Sequence, residues 1–325
     1  MLAAFLLVVM VAFLAFSLDV GFMMNVRTEL QRSVDAAAYA ATGSLVESPA
    51  MAIAAGRQYV RANMGSRHPL EDQDINVEIG RWNRTVRQFE NDQTPFDAVR
   101  VTARRNDFPL FFGPAMGTDQ FAMSASAVAT YRPRDIMLVL DYSGSMNTNN
   151  KIGALKDAVT LFVSTLQQAQ GEDRVGFSVY STTGALAEPL TVDLNRVEQS
   201  VRSRSAGGWT NMGEGMQFGR QELQNNRRQH ALSLMVVMTD GMANRPLNQD
   251  PFQFVRDEAA LAAAARIPIV SISFTAASHQ QIMSEIAQIT GGVHFHVEGT
   301  VSQQEQELEE VFRDVAARRP LRLVQ

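Results

Sequence analysis

The stretch "DIMLVLDYSGSM" (Asp135–Met146) decides how the rest of the chain is read. Its first half is apolar without alternation, as in a strand covered on both faces of a parallel sheet. Asp141 ends the apolar run, and two hydroxyls follow at alternate positions, Ser143 and Ser145. Three oxygen side chains this close suit a metal, an activated nucleophile or a helix cap. Capping and turn formation are the ordinary use of serine in such a place. The choice therefore depends on what else the chain brings there.

Downstream, helical and extended patterns alternate. "KIGALKDAVTLFVSTLQQ" (151–168) has apolar residues at helical spacing, and "RVGFSVYS" (174–181) reads as a strand. A short edge strand is expected near "ALAEPL" (185–190), a helix near 193–203 and another over 213–227. "ALSLMVVMTDG" (231–241) is a second buried strand, ending in Asp240. Helix 251–265, strand "IPIVSISF" (267–274), helix 278–290, strand "GVHFHV" (292–297) and helix 301–317 complete the pattern. Such alternation predicts an α/β fold with a doubly wound, mostly parallel sheet. Ligands of such sheets bind at the carboxyl ends of the strands near the switch point, where Asp141 and Asp240 both fall. A third element joins them: "GGWTNMGEGM" (207–216), with Thr210 just before a helix and glycines that permit a tight loop. Asp141, Ser143, Ser145, Thr210 and Asp240 thus converge from three loops. Oxygen donors without His or Cys suit a hard divalent cation, Mg²⁺ or Mn²⁺.

Together D-x-S-x-S, the glycine-flanked Thr210 and the strand-ending "TDG" resemble a von Willebrand factor A domain with its metal-ion-dependent adhesion site, over residues 133–317. The resemblance implies direct metal binding by Ser143 and Ser145. It implies that Thr210 binds directly or through water, and that Asp141 and Asp240 act mostly through water. One coordination position would stay open for an acidic side chain of a partner. The departure from the family pattern is Trp209, where a glycine is commoner.

The N-terminus reads differently. "MLAAFLLVVMVAFLAFSL" (1–18) is apolar with one serine. As a helix it spans about 27 Å, close to the ~30 Å hydrocarbon core of a bilayer. A secretory signal peptide would carry a basic n-region, a shorter apolar core and a small-residue cleavage site. No basic residue precedes Arg27, so an uncleaved anchor over 1–24 is expected, with the true start upstream of Met1. The helix should continue to about Leu45, and "SPAMAIAAGRQYVRANM" (48–64) should restart it with Ser48 as N-cap and Pro49 at the first helical position. The small residues of "DAAAYAA" (35–41) invite close approach by that second helix or by a neighbouring pilin-like helix.

"SLDVGFMMNVRTELQRSVDAAAYAA" (17–41) resembles the N-terminal segment of TadE/TadG-like pilus-assembly proteins. It has no glycine before the apolar run with a glutamate shortly after, so prepilin-type processing is not expected. From about Asp74 the period shifts to alternation in "INVEIGRW", "TVRQFE", "AVRVTARR" and "FAMSASAVATY". These predict a small α+β domain, an antiparallel sheet of about four strands with one face on the helix at 49–64. "DFPLFFGPAMG" (107–117) breaks the alternation and is expected to fold its aromatics under the sheet, with an exposed contact patch as the alternative. The expected organisation is an anchor at 1–24, the α+β domain at 25–132, the α/β domain at 133–317 and a tail at 318–325. Pro320 should stop the last helix, leaving "LRLV" to run extended, in reach of the middle sheet.

Composition excludes several classes. Cysteine is absent, which removes disulfides, thiolate metal sites and thiol nucleophiles. Net charge is −5, and residues 1–134 balance 13 Lys+Arg against 13 Asp+Glu, so the whole acidic excess falls after them. Neither part has a nucleic-acid footprint. A phosphatase of the haloacid-dehalogenase type would need an Asp where Ser143 stands, no G-x-x-x-x-G-K-[ST] loop occurs, and "GEG" (213–215) lacks the third glycine of a dinucleotide fingerprint. His294 and His296 share one face of a short strand and read as structural. The expectation is a non-enzymatic, metal-dependent adhesion or assembly module of a Tad/Flp-type pilus system. It is expected to be single-pass in a bacterial inner membrane, with its bulk outside the cytoplasm. Its expected partners are pilin-like or pilus-assembly proteins presenting an Asp or Glu. The alternative is a membrane-tethered scaffold recruiting a cytoplasmic ATPase or chaperone-like protein, as Arg27 and Arg32 beyond the span would suggest.

Overall fold

Helix α1 (Leu2–Ser44) runs 43 residues, about 65 Å at 1.5 Å per residue. No proline interrupts it. The structure is a computed structural model that describes residues 2–64, 69–94, 96–169, 171–274, 279–318 and 321–324. Among the described residues α1 is the one helix long and apolar enough to cross a membrane, and only 6% of its apolar window is buried. Further along, a stripe at helical spacing turns inward: Val26, Leu30, Val34, Ala37, Ala38 and Ala41 are fully buried. Helix α2 (Pro49–Met64) follows. It is capped by Ser48, whose Oγ accepts the Met51 N–H at 3.1 Å.

Strands β1 (Ile75–Asn83), β2 (Gln88–Asn91), β3 (Ala98–Pro109) and β4 (Gln120–Tyr131) pair antiparallel. Their inner face lies mainly on α1. The α1 stripe shares one core with Ala52, Val60 and Met64 of α2 and with Val99, Val101, Ala127 and Ala129 of the sheet. The expectation that the sheet packs on the second helix holds only for β1, where a Cβ on Gly56 would stand 3.0 Å from the Val77 side chain; α1 continues past the apolar run and covers β3 and β4. The alanines of "DAAAYAA" meet α2, where a Cβ on Gly56 would stand 3.4 Å from Ala41 Cβ.

The second body, Arg132–Arg319, is separate from Met1–Tyr131 with Pro320–Gln325. Its strands are β5 (Arg134–Asp141), β6 (Arg174–Tyr180), β7 (Gly184–Thr191), β8 (Leu232–Thr239), β9 (Ile269–Phe274) and β10 (Val293–Val297). Its helices are α3 (Lys151–Gln168), α4 (Leu194–Arg202), α5 (Met212–Asn226), α6 (Pro251–Ala264), α7 (Gln280–Thr290) and α8 (Val301–Ala317). The expected helix start at Ser278 lies outside the described residues. Strand order is β10-β9-β8-β5-β6-β7, all parallel except the edge strand β7.

Every residue of β5 is buried. Ile136, Leu138 and Leu140 point into the core under α3, α4 and α8, while Met137 and Val139 point into the core under α5, α6 and α7. That is why the strand reads as an unbroken apolar run. The chain leaves β5 towards β6 and β7, then crosses back to β8 on the other side. The carboxyl ends of β5 and β8 therefore flank the switch point.

After α8 the tail forms β11 (Leu321–Leu323), antiparallel to β4 at the edge of the first sheet. Pro320, the expected helix stop, lies outside the described residues.

Candidate metal centre

Asp141 is the last residue of β5 and Asp240 directly follows β8, and both are buried. Asp141 Oδ1 accepts the Ser143 N–H at 2.8 Å, and its Oδ2 accepts the Thr239 hydroxyl at 2.9 Å. The Ser143 and Ser145 hydroxyls are 2.9 Å apart, and Ser145 Oγ donates to Asp240 Oδ1 at 2.6 Å. Four of the five expected residues are thus joined by direct hydrogen bonds. Thr210 has no direct bond to these four among the described contacts; its backbone is tied to Asn244, its N–H donating to Asn244 Oδ1 at 2.9 Å and its carbonyl accepting the Asn244 N–H at 3.0 Å. The loop before it is pinned to the D-x-S-x-S turn, because Gly144 N–H donates to Gly208 O at 3.0 Å and Gly207 N–H to Tyr142 O at 2.8 Å. Gly208 is required here. Its φ is +83°, and a Cβ would stand 2.5 Å from Thr182 Oγ1.

Burial pushes the Asp141 carboxyl up to about 6, and the neighbouring Asp240 charge pushes the same way, against the hydrogen bonds from Ser143 and Thr239. Asp240 has a cationic neighbour: Lys151 Nζ stands 2.7 Å from Asp240 Oδ2, with both side chains largely or wholly buried. Asp240 is therefore met by an ammonium, whereas Asp141 is met by the Ser143 N–H and the Thr239 hydroxyl. Ser143 and Thr210 are buried while Ser145 is exposed, so the cluster opens to solvent at Ser145. Exposed Trp209 stands on the same loop, with the Arg245 guanidinium 4.0 Å above its ring.

The donor set fits a hard divalent cation. Oxygens at adjacent corners of an octahedron with ~2.1 Å bonds lie roughly 3 Å apart, and the Ser143–Ser145 separation is 2.9 Å. Among the described residues no group of three or more His, Cys, Asp or Glu could hold a metal. Any cation here would accordingly rely on hydroxyls beside two carboxylates. A cation would supply positive charge between Asp141 and Asp240; the Ser143 and Ser145 hydroxyls stand beside them, and Thr210 would add a third hydroxyl from the adjoining loop.

Three participants escaped the sequence reading. Thr239 sits inside the quoted "TDG", directly before Asp240 at the end of a buried strand, and that position was the available signal. Lys151 and Asn244 carry no local signal, because their partners are 89 and 34 residues away. The histidines do have a serine partner: Ser273 Oγ lies 2.9 Å from His294 Nε2 and 2.8 Å from His296 Nδ1. Ser273 is fully buried in β9, so its hydroxyl is closed to a substrate.

The von Willebrand factor type A domain family matches residues 135–313, and a Tad-like Flp pilus-assembly family matches residues 28–129. A calcium-activated chloride channel regulator 3A-1 from Mus musculus is 24% identical over 251 residues, 70% of this chain and 26% of that protein. An inter-alpha-trypsin inhibitor heavy chain H3 from Mesocricetus auratus is 27% identical over 152 residues, 44% of this chain and 16% of that protein. The chain thus spans about a quarter or less of the length of these relatives. Among solved structures, the von Willebrand factor domain of the type V pili tip protein Mfa5 from Porphyromonas gingivalis aligns with a TM-score of 0.47 at 13% identity. That alignment covers 57% of this chain and 95% of that one. Residues 28–129 are similar to the Tad-like Flp pilus-assembly family, and with more than half of its length matched, the chain belongs to the von Willebrand factor type A domain family.

Proposed function

We propose that this chain is a membrane-anchored, divalent-metal-dependent protein-binding module of a Tad/Flp-type pilus system. In this reading α1 crosses the inner membrane once and the bulk of the chain lies outside the cytoplasm. A Mg²⁺ or Mn²⁺ ion held by Asp141, Ser143, Ser145, Thr210 and Asp240 keeps one position open for an Asp or Glu of a pilin-like or pilus-assembly partner. No catalytic step is assigned to it. The observation that carries the reading is the oxygen cluster at the switch point, joined in one chain to a Tad-like unit. The chain's residues hold and shape the site. Ser145 presents its hydroxyl to solvent, Asn244 fixes Thr210, and Trp209 with Arg245 forms an aromatic and cationic rim beside it.

The test is cross-linking of the full chain in its own cells, followed by purification. Pilus components should co-purify with the wild type, be lost when EDTA is added before cross-linking, and be lost with Asp141→Ala. Co-purification unchanged by both treatments contradicts metal-dependent binding. The positions of Arg27 and Arg32 favour the second reading, a scaffold facing the cytoplasm. A phosphatase fused after residue 131 separates the two, being active only outside the cytoplasm.

A further inference from the structure

We infer that the turn at residues 110–117 enters the same bilayer as the anchor, as a second lipid-contacting element beside the end of the span. The inference rests on the reading of α1 as a membrane anchor. It begins from composition: "LFFGPAMG" (110–117) has no polar or charged side chain. The expectation that its aromatics fold under the sheet holds for Phe108 alone, which is fully buried and stacked on Phe121 at 5.3 Å. Phe111 and Phe112 are 68% and 42% exposed.

The turn is fastened to α1 where the apolar run ends. Asp19 Oδ1 accepts the Phe111 N–H at 2.8 Å, and Oδ2 accepts the Phe112 N–H at 3.1 Å. The Phe22 ring meets Phe111 edge-on at 5.0 Å. Asp19 is only 7% exposed, so the carboxylate that interrupts the span serves as the cap of this turn. Phe112 and Ala115 also share an apolar groove of about 670 Å³ with residues of α1 from Val8 to Phe16. Val8 lies 11 residues before Asp19, about 16 Å along the helix axis. A turn that shares a groove with these residues stands inside the layer they occupy.

Hydrocarbon tolerates non-helical backbone only where its polar groups are satisfied within the protein. This turn meets that condition at five of its N–H groups, and the residue after it adds a sixth. Leu110 N–H donates to Asp119 O, Ala115 to Phe112 O, Gly117 to Pro114 O and Thr118 to Gly113 O, and Asp19 takes those of Phe111 and Phe112. Position 114 is a proline and has no N–H to satisfy. A water-facing loop needs no such closure.

The chain has no cysteine, so single cysteines at Phe112, Phe13 and Val86 can each carry a nitroxide label. The full chain is reconstituted in vesicles of phosphatidylcholine and phosphatidylglycerol, and collision with oxygen and with a water-soluble nickel chelate is compared. The Phe112 label should resemble Phe13, accessible to oxygen and closed to the chelate, while exposed Val86 shows the reverse. Asp19→Ala should release the turn and restore chelate access at Phe112 while leaving Phe13 unchanged. A Phe112 label that resembles Val86 while Phe13 stays lipid-accessible overturns the inference and leaves the anchor standing. A Phe112 label closed to both reagents points to a protein neighbour, such as a second copy, and also overturns it. A Phe13 label open to the chelate removes the anchor, and the inference with it.

Discussion

Asp141 is held in an unfavourable state for an ionised carboxylate. It is fully buried, and its carboxyl is pushed up to about 6 by burial and by Asp240. An acid whose folded value lies above its unfolded value of 3.8 stabilises the fold fully below 3.8, and that stability is lost as pH rises through 6. In EDTA, therefore, raising the pH from 4 to 7 should cost the domain about 2 kcal/mol at this residue alone. Asp141→Asn should remove that slope, so the wild-type and variant urea curves should diverge as the pH rises. Parallel curves would mean that Asp141 is not the destabilised group. A bound cation opposes the effect, and cation affinity should fall as pH drops below about 6, where the proton competes. Lys151 makes the complementary case. Lys151→Met leaves Asp240 buried without its ammonium, which should cost about 3–5 kcal/mol in the metal-free domain. The same change should enlarge the stabilisation by Mg²⁺, since the cation then meets no competing charge. A melt with and without Mg²⁺ reads both effects.

At the scale of elements, what could be read from sequence divides by the range of the interaction. β5 and β8 were legible because a strand covered on both faces must be apolar throughout, and Asp141 and Asp240 were legible as the points where that rule stops. Lys151 at the start of α3 and Asn244 in a loop were not, since nothing local distinguishes them from solvated polar residues. The cover of the first sheet was misread for a related reason. The run to Met24 masks the onset of the Val26-Leu30-Val34 stripe, so the anchor and the packing helix looked like separate tasks when α1 performs both. Asp19 was invisible as a cap because its partners are 92 and 93 residues away.

One substitution and one deletion test the element packing. A Cβ on Gly215 of α5 would stand 2.7 Å from the ring of buried Tyr180, so Gly215→Ala should cost about 1–3 kcal/mol in a denaturant melt. The tail is tied down by β11 and by the Val324 N–H donated to Val128 O at 2.8 Å. Deleting residues 320–325 should lower the melting temperature of the full chain. An unchanged melting temperature would show that the strand does not dock in solution.

The whole molecule consists of two bodies with separate cores, and the chain passes from one to the other at Tyr131–Arg132. The body Arg132–Arg319 holds all six strands of its sheet and all five residues of the candidate site. Expressed alone, it should be soluble and melt in one cooperative step. The central claim, that "DYSGSM" is the start of a cation site, is tested most directly on that fragment by calorimetric titration with Mg²⁺ and Mn²⁺, paired with melts of wild type and Asp141→Ala. Cation at ten times its dissociation constant should stabilise the wild type by roughly 1.4 kcal/mol, a shift of a few degrees at most. Asp141→Ala should abolish both the heat of binding and the shift, while melting at or slightly above the wild type in EDTA. No heat up to millimolar cation, with no shift in the wild type, would contradict the account and leave the two serines as a turn and a cap.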